Sequence, residues 1–454
     1  MKAIDFGPDF KWGVSSSSFQ TEGAYQTDDK GISIWDLFSG VPGKINGNKK
    51  AHISCDFYNR YIQDLILMNY MNIKNFRFSI SWPRIFPEGF GKVNEKGLDF
   101  YDRLIDYSLE MDIDPWVTLY HWDLPQALED KGGWTNRSVI HWFSKYVETC
   151  IKKFGDRVQN WMILNEPLVF TGAGYFLGIH APGKKGMSPF LQAVHHAVLC
   201  QSMGGRIAKS WNGKLNIGTT FSTSHIEPLS KHILNVNAAE KVDALVNRLF
   251  LEPLLGLGYP TRDLPFLNTI EKYVQPGDEQ LMVFPMDFIG VQNYTREIVR
   301  HTSFVPYINA RIVKAEKRNV PKTAMQWEIY PKAMYHILKK YATYPQIKNL
   351  IVTENGAAFN DELENDKVND LARINFLKSY LAEVKKAKQE GAPVRGYFVW
   401  CFTDNFEWTE GLSKRFGLVH VDFATQKRTI KASGGWYRNF LTTAKMSEAQ
   451  KMTG

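Results

Sequence analysis

The chain has 454 residues, 44% hydrophobic and 22% charged, the balance of an ordinary globular protein, and no stretch approaches the ~18 apolar residues of a membrane span. Its 55 basic and 47 acidic residues leave a net charge of +8 spread along the chain without a basic block, which argues against nucleic acid and membrane surfaces as partners. Cys55, Cys150, Cys200 and Cys401 are far apart and read as reduced thiols, and the N-terminus has one lysine and no apolar run, so a cytoplasmic protein without a signal peptide is expected.

Taken in chain order, Lys11–Ser17 (KWGVSSS) reads as a first strand. Asp56–Tyr70 follows as a helix, with apolar residues at 57, 58, 61, 62, 65, 66 and 68. Asn75–Trp82 (NFRFSISW) is a second strand, followed by a helix over Asn94–Met111 that Asn94 is placed to cap. Pro115–Trp122 (PWVTLYHW) and Asn136–Phe154 form the next strand and helix. Asn160–Pro167 and Ser188–Trp211 form another such unit, with Ser188 as its candidate cap. Then come strands Lys214–Ser222 and Asp287–Tyr294, a helix over Pro331–Tyr341, and strand Asn349–Gly356. A helix over Lys367–Glu390, strand Arg395–Asp404 and a helix over Thr429–Ala444 complete the chain. Alternating strands and helices predict a parallel sheet. With eight units and no linker, the pattern predicts one (β/α)8 TIM barrel domain over residues 1–454, with extended βα loops. No GxGxxG or Walker motif supports a nucleotide fold, and neither cofactor nor metal is expected.

The strand ends are more informative than the strands. They finish in Ser and Gln, Arg and Trp, His-Trp, Asn-Glu, Ser, Gln and Tyr, Glu-Asn, and Trp-Cys-Phe-Thr-Asp. A polar and aromatic rim on an apolar barrel describes a pocket whose amides, carboxylates and indoles suit a neutral polyol. Two rim positions are glutamates, Glu166 in Trp161-Met-Ile-Leu-Asn-Glu-Pro167 and Glu354 in Leu350-Ile-Val-Thr-Glu-Asn-Gly356. A lone glutamate after a strand is usually a solvated loop residue. Here both close apolar strands and both adjoin an asparagine, and paired carboxylates are the equipment for cleaving a glycosidic bond.

These segments resemble those of glycoside hydrolase family 1, the retaining β-glycosidases. The resemblance runs over nearly the whole chain. Phe10–Ala24, Tyr120-His-Trp-Asp-Leu-Pro125, Gly178-Ile-His-Ala-Pro-Gly183, Trp327-Glu-Ile-Tyr-Pro331 and Asp404-Asn-Phe-Glu-Trp408 are similar to family segments and stand in the family's order. The resemblance implies that Glu354 is the nucleophile and Glu166 the acid/base. Such a pair is held about 5–5.5 Å apart in retaining enzymes. It further implies that Arg77 and Tyr294 support Glu354, with Arg77 holding it ionised, and that Asn165 meets the sugar 2-hydroxyl. Gln20, His121, Glu407 and Trp408 are implied to clamp the other hydroxyls, with Trp400 beneath the ring and Trp327 beside the leaving group. Taken alone, His121 and Trp400 read as core residues. Two departures stand out: Gln292 falls where the family usually has Asn, and Asn293 where Tyr is common.

The expected function is hydrolysis of terminal non-reducing β-glycosyl residues with retention, β-glucosidase first, on small β-glycosides or oligosaccharides. Transglycosylation differs only in the acceptor. A 6-phospho-β-glycosidase carries Ser where Glu407 stands, and a carboxylate there repels a dianion. A thioglucosidase has Gln in place of Glu166. A non-catalytic sugar-binding relative typically lacks one of the glutamates. Sequence leaves glycone preference, leaving-group preference and homo-oligomerisation open.

Overall fold

A computed structural model describes residues 1–452, with side chains through Thr443. Eight parallel strands form the centre: β1 (Lys11–Ser15), β2 (Asn75–Ser79), β3 (Asp114–Tyr120), β4 (Asn160–Asn165), β5 (Asn216–Pro228), β6 (Phe288–His301), β7 (Leu350–Asn355) and β8 (Val394–Trp400). Each pairs with its neighbours in sequence, and β8 pairs with β1 through Lys11–Ser15 against Gly396–Trp400, so the sheet closes into a TIM barrel. A short strand, Ala310–Ile312, adds antiparallel to the outer end of β6. Closure leaves the ladder of the eight strands without a free edge.

Two layers of apolar side chains hold the barrel. Inside it, Trp116, Met162, Phe288, Ile351 and Phe398 form a plug from five different strands, with ring centroids 5.1 Å apart for Trp116 and Phe398. Removing Phe398, which is fully buried, would cost about 3–5 kcal/mol by the usual penalty for an aromatic cavity. Outside, the strands pack against amphipathic helices such as Glu95–Glu110 and Val139–Phe154, whose buried positions recur every three or four residues. Because the interior below is filled, a ligand can enter only at the rim where the strands end.

Register sets the height of the rim residues. Ser15 lies beside both Arg77 and Trp400, Asn165 beside Thr220, and Gln292 beside Glu354. At Gly356, an added Cβ would stand 1.7 Å from the Trp400 carbonyl oxygen, so only glycine allows β7 and β8 to approach this closely.

Several expected boundaries move. Ser188 is not a cap. The helix runs Met187–Trp211 after Gly186 at φ 111, and the Ser188 hydroxyl pairs with that of Tyr273 instead. Asn94 does precede helix Glu95–Glu110, but its amide donates to the Asp28 and Arg84 carbonyls rather than accepting from a helix N–H. The expected Lys367 start moves to Leu371, where the preceding Asp370 carboxylate binds Arg373 and Ser433. Thr429 belongs to a hairpin of Val419–Val421 and Arg428–Ile430, and the last helix begins at Ala432. The eighth strand stops at Trp400 rather than Asp404, while β5 and β6 both continue past the rim. Among the described residues no helix is long and apolar enough to cross a membrane.

Candidate active site

A cavity of about 420 Å³ opens at the C-terminal ends of the strands. Glu166 and Glu354 line it, together with Gln20, His121, Tyr294, Trp327, Trp400, Glu407 and Trp408. The rim residues singled out from sequence therefore converge on one space. Arg77, Asn165 and Gln292 are fully buried and stand behind its lining.

Glu354 is the more heavily contacted of the two glutamates. Arg77 Nη1 and Gln292 Nε2 both donate to its Oε1, the latter at 2.8 Å, and the Tyr294 hydroxyl donates to Oε2. Burial raises the Tyr294 phenol far above its ordinary pKa, so it stays a proton donor. Arg77 was expected to hold Glu354 ionised. On balance burial lifts Glu354 above the usual carboxylate range, and the Arg77 charge and the Tyr294 hydrogen bond pull it back.

Glu166 follows β4 with φ 44 and ψ 63, a left-handed turn tied down by its N–H to the Thr220 carbonyl at 2.9 Å. Among the described residues no cation pairs with its carboxyl. Burial raises it well above the ordinary value, and the charge of Glu354 raises it further, against a Ser222 hydrogen bond and the more distant Arg77. Two glutamates on one rim are thus held unequally. Glu354 ionises first because a guanidinium and a phenol touch it.

Asn165 joins the two halves. Its Oδ1 accepts from Arg77 Nη2 at 2.6 Å, Gln292 Nε2 at 2.8 Å and Thr220 Oγ1 at 2.9 Å. Its Nδ2 donates to His121 Nε2 at 3.0 Å, which places the His121 proton on Nδ1. That Nδ1 is buried without a partner among the described residues, and burial with the Arg77 charge keeps the ring neutral. With Oδ1 fully engaged, only the remaining hydrogen on Nδ2 is left to Asn165 for a ligand. Gln292 fills the gap left by the usual Asn by bridging Asn165 and Glu354, and Asn293 turns away to the Thr223 and Thr295 carbonyls.

On the far wall, Gln20 Nε2 lies 3.3 Å from Glu407 Oε2 and 2.9 Å from the Phe406 carbonyl. Burial, reinforced by the charge of Glu354, pushes Glu407 up to about 8. Aromatic faces surround it. Trp408 packs on Trp122 with centroids 4.4 Å apart, and Trp400 stacks near His121 at 6.1 Å. The loop bearing Glu407 is anchored at Asp404, which binds Lys431 at 2.6 Å and Arg415 at 2.7 Å and is wholly buried. Among the described residues no cluster of His, Cys, Asp or Glu is arranged to hold a metal.

The family model described as glycosyl hydrolase family 1 matches residues 2–446. The chain belongs to glycosyl hydrolase family 1. It is 42% identical over 441 residues to beta-glucosidase A of Thermotoga maritima, covering 97% of this chain and 98% of that protein. It is 42% identical to the 1,4-beta-D-glucan glucohydrolase of Thermotoga neapolitana, covering 96% and 98%. The solved structure of the Thermotoga maritima beta-glucosidase with deoxynojirimycin superposes with a TM-score of 0.93 over 96% of this chain and 98% of that one. Membership makes the chain a glycoside hydrolase, and the TIM barrel is the fold of these relatives.

Sequence reasoning left several cavity residues unassigned. Trp122 stands two residues beyond the end of β3 and donates its indole N–H to the Asn165 carbonyl at 2.9 Å. His180 lies in the quoted Gly178–Gly183 segment and lines the cavity beside Trp122. Ser222 lines the cavity from β5, where Thr220 donates to Asn165, and small hydroxyls within a strand carry no sequence signal of their own. Glu297 also lines the cavity, from the part of β6 beyond the expected strand.

Proposed function

We propose that this glycoside hydrolase is a retaining β-glucosidase that releases terminal non-reducing glucose from small β-glucosides and oligosaccharides. The observation that carries the reading is the unequal environment of the two glutamates: Glu354 is contacted by Arg77, Gln292 and Tyr294, while Glu166 keeps its proton. Glu354 attacks the anomeric carbon. As the bond to the leaving oxygen breaks, Glu166 gives that oxygen its proton. Esterified Glu354 carries no charge, so the pKa of Glu166 falls, and it takes a proton from the incoming water. Water then displaces Glu354 as a carboxylate, and Glu166 has regained its proton. Two displacements at one carbon preserve the anomeric configuration.

The remaining roles follow from donors and acceptors. His121 Nδ1–H, Gln20 and Glu407 fit sugar hydroxyls, Trp400 and Trp408 its apolar face, and Asn165 the 2-hydroxyl. A 6-phospho sugar fits poorly. Arg415 is engaged with Asp404 and Lys414 lies 3.7 Å from Glu410, so both cations already face carboxylates. The relatives named for glucosides support the glucose preference. We further propose that the whole chain acts as one catalytic domain, and that four buried cysteines without a disulfide fit a reducing compartment such as the cytoplasm.

The test is a pair of variants. Glu354→Ala should abolish hydrolysis and be partly rescued by azide with an inverted glycosyl azide as product. Glu166→Ala should remain active on aryl glucosides with good leaving groups and lose activity on poor ones. Equal loss in both variants on every substrate, without azide rescue, sinks the assignment.

A further inference from the structure

Glu166, Glu354, Gln20, His121, Trp400 and Glu407 line only part of the cavity. Thr295, Glu297, Ile312, Met325 and Trp327 line it too, and the same residues line an adjoining cavity of about 220 Å³. Space for a leaving group therefore continues outward past Trp327. The indole is held there by its neighbour Glu328, whose carboxylate binds Arg296 at 2.8 Å and Arg318 at 2.6 Å.

Those ion pairs take up the cations nearest Glu297. Arg296 gives Nε and Nη2 to Glu328 and Nη1 to Glu227, and Arg318 gives Nη1 to Glu328 and Nε to the Val313 carbonyl. Both guanidinium groups are engaged elsewhere. The Glu297 carboxylate makes no ion pair or side-chain hydrogen bond among the described residues. Burial, opposed by the charge of Arg318 and reinforced by that of Glu328, pushes it up to about 7. A half-buried carboxylate without a partner is costly to keep dry, and it faces a space that a substrate must occupy. Two oxygens at one point can accept from adjacent hydroxyls, and the flat indole of Trp327 beside them suits the C–H face of a sugar ring.

We propose that Glu297 recognises a sugar in the leaving-group position and so selects β-linked disaccharides and longer oligosaccharides over glucosides with apolar leaving groups. This rests on the glucosidase reading of the site. Glu297 does not touch the reacting atoms. Its contribution is to binding of the leaving sugar before the bond is cut, so it should act mainly through KM.

The experiment compares kcat/KM for cellobiose and for 4-nitrophenyl β-glucoside in the unaltered enzyme, Glu297→Ala and Glu297→Gln. Glu297→Ala should lower kcat/KM for cellobiose about tenfold, mostly through KM, and change that for the nitrophenyl glucoside by less than about twofold. Glu297→Gln keeps an acceptor oxygen and should recover part of the cellobiose loss. Equal losses on both substrates would assign Glu297 a structural role and overturn the proposal, as would unchanged cellobiose kinetics in Glu297→Ala. An unaltered enzyme that cleaves neither substrate overturns the glucosidase reading itself. Nitrophenyl activity without discrimination by Glu297 overturns only this inference.

Discussion

Arg77 meets Glu354 with one guanidinium nitrogen and Asn165 with another, from a strand position where a charge has no solvent to share. The cation opposes the burial that lifts Glu354, and this predicts a pH effect with a definite sign. In Arg77→Met the opposing charge is gone, so the pKa of Glu354 rises and the acid limb of the kcat/KM profile moves to higher pH. A profile whose acid limb stays in place, however low the rate, would mean that Arg77 does not control ionisation of Glu354. Gln292 shows the same economy in a different form. One amide group reaches both Asn165 Oδ1 and Glu354 Oε1 at 2.8 Å, so the longer side chain ties the two residues together.

At the scale of elements, the strand ends decide what the barrel presents. Gly356 lets the ends of β7 and β8 approach, with the Trp400 carbonyl where a side chain would start. Gly356→Ala should therefore displace Trp400 and lower stability by about 1–3 kcal/mol, the usual cost of overpacking. A matched fall in thermal midpoint and in inhibitor affinity would report it, and an unchanged midpoint would count against the close approach. The glutamates were legible from sequence because they end apolar runs, where a charged residue is conspicuous, and Gln20, His121 and the tryptophans because the segments that carry them resemble those of the family. Glu297 was not, since β6 runs past the rim and its outer half has mixed polarity. The stretch between β5 and β6 was equally silent. Its helix Ile233–Asp243 passes into a π-helical turn and then short 3-10 turns, so no single period marks it. Ser188 and Asn94 misled for a local reason: both have capping chemistry, and each spends it on another partner.

Across the whole molecule, charge buried without a partner is a stability term that changes with pH. Asp123, in the Tyr120–Pro125 segment, is buried with Oδ1 unpartnered, and burial pushes it up to about 7 from the ordinary value of 3.8. The folded protein therefore holds a proton that the unfolded chain releases above 3.8. The stability this provides is complete below 3.8 and lost as pH rises through about 7. Asp123→Asn mimics the neutral acid at every pH. Between pH 5 and pH 8 its thermal midpoint should fall less than that of the unaltered protein, and parallel slopes would refute the account.

The anchor at Asp404 reaches further than the loop that it fixes. Lys431 follows the C-terminal hairpin, yet its ammonium is buried between Asp404 and Asp361, and Asp361 in turn binds Arg373. Opening the hairpin would strand Asp404 in the interior with one cation fewer, a change that breaking a buried pair makes expensive. Glu407 and Trp408 hang on that same loop. The hairpin, Lys431 and the loop of Glu407 and Trp408 accordingly form one cooperative unit, in which the hairpin cannot open without disturbing the cavity wall.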